Sequence, residues 1–339
     1  MKAVYYEKPG GLEVIKYGNW QTPRPKNEAL VRMKACGLNR LDIWIRDRYG
    51  PNIVFPHIPG SDVSGIVEEV NGKSSFKKGQ AVVINPAFPC NICSRCLKGL
   101  SCERVRIFGY NTQGGYAEYV VVPIDQLYPK PNNLTFIEVA AFPLTFLTAW
   151  HMLAGRAALK KGETVFIWGA SGGLGLAGVK IAKYLGARVI AACSSDQDGR
   201  QIKKITKADY VINYKKENVV KAVKEITDGL GVDVVFESVG VSTWNTSLEI
   251  LRPLGRVVIA GTTSGEIAKL NLSNVYYNQF SILGSRMGTK DEFEKVLVFV
   301  SKGLLAPFID KVYPLKEAAL AQKRMQESKH IGKIVLKVE

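Results

Sequence analysis

A chain of 339 residues is too long for one small domain and comfortable for two; with 46% hydrophobic and 22% charged residues it can fill sizeable cores without disulfide staples. A net charge of +16 suits anionic ligands, but the basic residues are spread along the whole chain rather than gathered into an arm, which argues against nucleic acid and fits a plain lysine-rich surface equally well. The longest uncharged apolar stretch, 139–152, is broken by Pro143 and too short to span a bilayer, and residues 1–6 alternate like a strand rather than a signal segment, so a cytoplasmic protein with no membrane attachment is expected.

In chain order, residues 29–36, 62–70 and 80–84 alternate or run apolar between Pro-Gly and Lys-Lys-Gly turns, which predicts a β-rich, barrel-like first domain. Next come Cys90, Cys93, Cys96 and Cys102, with two, two and five residues between them. Four thiolates so close together can wrap a tetrahedral ion, and with all four engaged no position stays open for substrate. One structural zinc per chain is expected; an iron–sulfur cluster is the alternative, and a colourless protein would decide for zinc. The clustered thiols fit a reducing compartment better than disulfides do.

Near residue 135 the texture changes. Helical stretches at 136–141 and 145–155 lead into the apolar run 163–168, and then short Val- and Ile-rich runs (188–193, 209–213, 232–237, 256–260) alternate with helical segments (173–185, 201–206, 219–227, 244–251). Such runs suit parallel strands buried on both faces, which predicts a doubly wound α/β domain. Beyond about 285 the pattern is helix, strand, helix, strand, and the last strand, 333–338, is expected to pair back with the first domain.

The first strand of that series closes on Gly169-Ala-Ser171-Gly172-Gly173-Leu174-Gly175 and opens a helix. Glycines there let a pyrophosphate approach the backbone, and the helix N-terminus favours its charge. The next strand ends at Cys193, where NAD-binding units commonly place an acid for the ribose hydroxyls. An uncharged end does not repel a 2′-phosphate; Ser194 and Ser195 can donate to it, and Arg200 or Lys203 can neutralise it. NADP(H) is therefore the expected cofactor, the alternative being that Asp196 turns back to take the ribose.

The glycine turn, the cysteine lobe, residues 114–118 (Gly-Gly-Tyr-Ala-Glu), 236–240 (Phe-Glu-Ser-Val-Gly) and 332–336 (Gly-Lys-Ile-Val-Leu) together resemble the medium-chain dehydrogenase/reductase superfamily over nearly the whole chain. The resemblance implies an α/β protein: a GroES-like catalytic domain (1–127 with 285–339, the cysteine lobe at 88–104), an inserted Rossmann domain (128–284), and an active site in the cleft between them. Members usually have a longer gap before the fourth cysteine, so Cys102 departs from the pattern. Alcohol-dehydrogenase members carry a catalytic zinc; the ligand positions correspond here to Asn39, Ser61 and Leu144, and a proton relay to Leu41 and Trp44. Leucine cannot ligate zinc, and an amide and a hydroxyl are poor ligands. Losing that Lewis acid costs alcohol oxidation several kcal/mol, which favours an electron-poor acceptor instead.

Residues 39–50 resemble the quinone oxidoreductase branch, which lacks catalytic zinc; combined with the retained cysteine lobe, the chain is similar to acryloyl-coenzyme A reductases. The expected reaction is hydride transfer from NADPH to the β-carbon of an α,β-unsaturated carbonyl, as in an enoyl-coenzyme A, or to a quinone. Asn39 is expected to meet the resulting oxyanion; Asp62, Tyr49 and His151 are candidate acids. The resemblance also places Arg40 and Lys333 on the pyrophosphate, Thr148 on the nicotinamide and Tyr214 near the adenine, and implies a homo-oligomer, dimer or tetramer. Two rival functions stand beside it: a zinc alcohol dehydrogenase with unusual ligands, and a dinucleotide-fold protein that binds RNA or a partner through its basic surface.

Overall fold

A computed structural model describes residues 1–48 and 53–338, which divide into two compact units, Met1–Leu144 with Thr289–Glu339, and Thr145–Gly288. The first unit is built on a seven-stranded sheet. Its path runs Ile309–Pro314, Lys333–Lys337, Ala29–Gly37, Asp62–Val70, Ala81–Ile84, Leu127–Pro129, and Tyr119–Val122 also pairs with Ala29–Gly37. Strand Ala29–Gly37 pairs with three neighbours, and only Arg32 and Lys34 are partly exposed, because packed side chains cover both of its faces. Val31, Met33, Val63, Val67, Val82, Tyr116 and Leu336 fill the core around it.

Two register facts position the chemistry of this unit. Gly37 pairs with Asp62 and Cys36 with Val63. The C-terminal strand returns to the first third of the chain as expected, with Val335 opposite Gly37 and Leu336 opposite Cys36. Asp62 and Lys333, 271 residues apart, are thereby delivered to the same end of Ala29–Gly37.

Helix Arg40–Arg48 follows this strand. Its charged residues hide it from a periodicity reading, because Asp42 and Arg46 point inward: both are fully buried, and Arg46 is held by Gln322, Asp47 and the Gly10 carbonyl. The division into units also falls later than the sequence suggests, at 144/145 and 288/289 rather than 127/128 and 284/285. Tyr128 pairs with Val83, and helix Phe136–Val139, opened by a Thr135–Glu138 capping box, packs on Ala29–Gly37, so these segments stay with the first unit. Residues Phe136–Arg156 are long and apolar enough to cross a bilayer by length and composition, contrary to the sequence reading, but 72% of that window is buried within the fold.

The second unit is a six-stranded parallel sheet in the order Tyr210–Asn213, Arg188–Cys193, Thr164–Ile167, Val232–Glu237, Leu251–Ile259, Ser281–Gly284. In sequence order this is 3-2-1-4-5-6, the doubly wound arrangement, whose strand order reverses between Thr164–Ile167 and Val232–Glu237. Three elements differ from expectation. Helix Asp196–Thr206 starts before residue 201 because the Ser195 hydroxyl caps it by accepting from the Asp198 amide at 3.1 Å. The fifth strand starts at Leu251, ahead of a Pro-Leu-Gly bend that reads as a turn. The exposed edge strand Ser281–Gly284 is too short and mixed to stand out.

Gly37 permits the closest approach in the first unit: a Cβ there would lie 2.1 Å from the Ala140 carbonyl oxygen and 3.1 Å from the Asp62 Cβ. Gly37→Ala is expected to lower stability by about 2–3 kcal/mol, since backbone rather than a flexible side chain must give way. Thermal melting beside Gly284→Ser, an exposed control with ordinary backbone and no atom within 4 Å of its would-be Cβ, checks this.

Candidate functional site

In the second unit, strand Thr164–Ile167 ends in a turn that leaves a cradle. Gly169 has φ +60°, the Gly172 amide donates to the Gly169 carbonyl at 3.0 Å, and the Ala170 amide donates to the Ala192 carbonyl at 3.0 Å. A Cβ on Gly175 would come within 2.2 Å of the Gly169 oxygen, so the turn closes only with glycine there. Gly173 and Leu174 begin helix Gly173–Tyr184, whose N-cap, Gly172, has no side chain to satisfy the first amides. Those amides are free to meet an anion, and half-buried Ser171 flanks them. Thr148, in the same unit, is nearly buried, and its hydroxyl has no hydrogen-bond partner among the described residues. An unsatisfied buried hydroxyl costs about 1–3 kcal/mol and suits a polar ligand group that completes it. The residues therefore fit a dinucleotide.

At the neighbouring strand end, half-buried Ser194 and Ser195 follow buried Cys193, Arg200 is exposed on the helix that Ser195 caps, and the Tyr214 amide donates to the Cys193 carbonyl at 3.1 Å. The Tyr214 ring stands edge-on to Trp168 at 5.8 Å. Asp196, the acid that could have taken a ribose, is engaged: Asn213 Nδ2 donates to one carboxylate oxygen at 2.5 Å and Lys216 Nζ to the other at 2.6 Å.

Sequence reasoning quoted Glu237 without giving it a role. It is fully buried at the end of Val232–Glu237, across the switch point from the glycine turn. One oxygen accepts from the Val239 and Gly240 amides at 2.7 and 3.0 Å; the other accepts from the Thr243 and Ser247 hydroxyls at 2.9 and 2.6 Å. Ser247 in turn accepts from Trp168 Nε1 at 2.8 Å. A carboxylate with four donors folds residues 238–240 tightly, and that loop flanks Gly169.

In the first unit, the lysine delivered by the C-terminal strand is almost fully buried. Its ammonium donates to the Leu38 carbonyl at 2.6 Å, Asn39 Oδ1 at 2.7 Å and Asp62 Oδ2 at 2.8 Å. Asp62 also accepts from Asn39 Nδ2 at 2.9 Å and from the Leu144 amide at 2.6 Å. Two expectations need correction. Lys333 has three protons and all are engaged inside this unit, so none is left for a pyrophosphate. Asp62, expected as an acid, is a fully buried acceptor of hydrogen bonds from Lys333, Asn39 and Leu144. Asn39 is bonded to the same pair through both its oxygen and its nitrogen, and Arg40 reaches the Met325 carbonyl at 3.5 Å.

Beside them lies Asp42, which the sequence did not single out. It accepts from the Asn39 amide, the Gly60 amide and the Tyr116 hydroxyl. Burial pushes its carboxyl up to about 6. Of the other candidate acids, His151 is buried in the second unit at the start of the π-helical turn His151–Arg156, and Tyr49 lies outside the described residues.

The cysteine lobe hangs between the paired strands Ala87–Phe88 and Arg106–Ile107. The sulfurs of Cys90, Cys93, Cys96 and Cys102 all lie within 4.8 Å of one another, and none is in a disulfide. Three of the separations, at 3.5, 3.9 and 4.0 Å, bracket the roughly 3.8 Å edge of a tetrahedron with zinc–sulfur bonds of about 2.3 Å. Cys102 belongs to the cluster despite its short spacing and accepts from the Cys90 and Arg104 amides. Amides of Cys96 and Glu103 draw the Cys93 thiol down to about 6, which favours the ligating thiolate.

The alcohol dehydrogenase GroES-like domain family matches residues 25–132, and the zinc-binding dehydrogenase family matches 173–302. The quinone oxidoreductase of Rattus norvegicus is 32% identical over 99% of this chain and 97% of its own length. The crystal structure of an NAD-dependent alcohol dehydrogenase superposes with a TM-score of 0.95 at 40% identity, covering all of both chains. The 2-octenoyl-CoA carboxylase reductase CinF, solved with NADP and 2-octenoyl-CoA, superposes at 0.90 with 27% identity over 99% of this chain and 87% of its own.

Two predictions follow from the geometry. A carboxyl raised by burial contributes most to stability below its unfolded pKa, and loses that contribution as pH rises through its folded value of about 6. Asp42→Asn, which has no such titration, should therefore fall further behind the parent as pH drops from 7.5 towards 4, by up to about 3 kcal/mol. Denaturant melts across that range measure it; a constant gap would contradict the assignment. Glu237→Gln turns an acceptor for four donors into a group that carries donors itself, and is expected to weaken dinucleotide binding about tenfold with a change in Trp168 fluorescence, read by titration.

Proposed function

Because the chain belongs to the medium-chain dehydrogenase/reductase superfamily, in its quinone oxidoreductase branch, we propose that it is an NADPH-dependent reductase of an activated carbon–carbon double bond, an enoyl-coenzyme A such as acryloyl-coenzyme A or a quinone. The observation that carries this reading is the cluster around Asp62. The positions that would ligate a catalytic zinc hold an amide, a hydroxyl and a hydrocarbon, and two of the three, Asn39 and Leu144, are hydrogen-bonded to a carboxylate already paired with an ammonium. These residues do not fit a zinc ion. An α,β-unsaturated carbonyl needs none, because its own carbonyl drains the incoming charge.

The second unit would hold the cofactor, with Gly169, Gly172, Gly173 and Gly175 against the pyrophosphate, Ser171 and Leu174 beside it, and the Thr148 hydroxyl on the nicotinamide side. Engagement of Asp196 by Asn213 and Lys216 supports the phosphorylated form, for which Ser194, Ser195 and Arg200 offer donors and charge. Tyr214 offers a ring face for the adenine end. When bound, the cofactor supplies the hydride. The loop folded by Glu237 holds the cradle's wall in place. In the first unit, the Asp62–Lys333 pair holds Asn39 so that its polar side chain keeps one orientation.

The four cysteines fit a zinc ion, which would cross-link residues 90–102 and leave no open position for chemistry. This reading places the protein in the cytoplasm, where thiols stay reduced, as an assembly of identical chains. A second reading, an NAD-dependent alcohol dehydrogenase, draws support from the 40% identical structure of that description.

Parallel assays separate the two readings. NADPH absorbance should fall with acryloyl-coenzyme A, crotonyl-coenzyme A or a quinone, with kcat/KM at least tenfold above that for NADH; turnover confined to an alcohol with NAD would overturn the proposal. Metal analysis should find one zinc per colourless chain. Cys93→Ser should abolish it and lower Tm by several degrees.

A further inference from the structure

The alcohol-dehydrogenase members of the superfamily imply a catalytic metal at the positions of Asn39, Ser61 and Leu144, and the residues present disagree with that more sharply than simple loss of ligands requires. The Asn39 side chain and the Leu144 amide both bond to the carboxylate of Asp62, and Ser61 is the residue next to it. The carboxylate is fully buried, as is Ser61, whose hydroxyl has no hydrogen-bond partner among the described residues. One positive charge meets this group of oxygens: the Lys333 ammonium, within 2.8 Å of both the Asn39 oxygen and the carboxylate. A side chain with only a leucine and a serine for company would not need a buried cation. A carboxylate does, because an isolated buried charge is costly until it is paired.

We propose that the Lys333 ammonium is the resident cation of this cluster, tethering the three segments as a metal ion would and keeping divalent cations out. The tethering follows from connectivity. The ammonium bonds directly to the Leu38–Asn39 turn and to strand Asp62–Val70, and through Asp62 it reaches the segment that carries Leu144. The exclusion follows from charge and protons. An ammonium has no lone pair to offer, its three hydrogens cap the oxygens a metal would need, and its charge repels a second cation at close range. The inference concerns metal occupancy and does not depend on which substrate the enzyme reduces.

The test restores the ligands and varies only the lysine. Asn39→Cys/Ser61→His/Leu144→Cys is compared with the same chain carrying Lys333→Met, and cobalt uptake is read from the visible bands of tetrahedral cobalt thiolate with the parent's uptake subtracted. The chain that keeps Lys333 is expected to bind the additional cobalt at least tenfold more weakly. Equal affinity in the two chains would overturn the proposal. Should the ligand-restored chains fail to fold, single variants decide: Lys333→Arg, which keeps a cation, should retain most of the parent Tm while Lys333→Met loses several degrees, and a Lys333→Met chain as stable as the parent, or an equal loss in both, would overturn it.

Discussion

The first unit is organised around a buried carboxylate–ammonium pair that joins positions 271 residues apart. Taking both charges out of water is expensive, and a pair of this kind is favoured only when every remaining lone pair and proton finds a partner. Here each does. The ammonium spends its hydrogens on a backbone carbonyl, an amide oxygen and the carboxylate, and the carboxylate takes two further N–H groups. Removing one member of such a pair costs about 3–5 kcal/mol, whereas a hydrophobic replacement of both can be neutral. The specificity of the arrangement lies in what it aligns: the end of strand Ala29–Gly37, the start of helix Arg40–Arg48 and the segment leading to Leu144.

The second unit solves a different problem with a different charge. Among the described residues no cation pairs with Glu237; it is held by two amides and two hydroxyls, and so acts as a template for the loop that follows it. Such a loop is shaped largely by hydrogen bonds, which suits a surface that must accept a large, polar ligand. The glycine turn beside it is shaped by exclusion, since the Gly169 oxygen occupies the space that a side chain on Gly175 would need.

Much of this was legible in the residues. The parallel strands announced themselves as short Val- and Ile-rich runs, because burial on both faces leaves no alternation to blur. The glycine turn and the four cysteines were legible because their chemistry is local: every participant lies within a dozen residues. The return of the last strand could be anticipated, but not its consequence, since pairing register decides that Lys333 meets Asp62 rather than a phosphate. The mutual engagement of Asp62 and Lys333 was out of view for that reason. Asp42 and Glu237 escaped notice because a buried acid and a solvated one look alike in a sequence; only the donors gathered around each distinguish them.

The placement of the last strand also governs the order in which this protein can be made. Emerging from the ribosome, the second unit has all of its strands once residue 288 is out, and its neighbours in space are mostly neighbours in sequence. The first unit has most of its sheet long before that, yet the strand pairing with Ala35–Gly37 follows the whole of the second unit in sequence. Until it emerges, Asp62 waits without its counter-charge, and the outer edge of Ala29–Gly37 lies open. Completion of the first unit is deferred past completion of the second, so a product that stopped between them would carry a finished second unit beside an unfinished sheet.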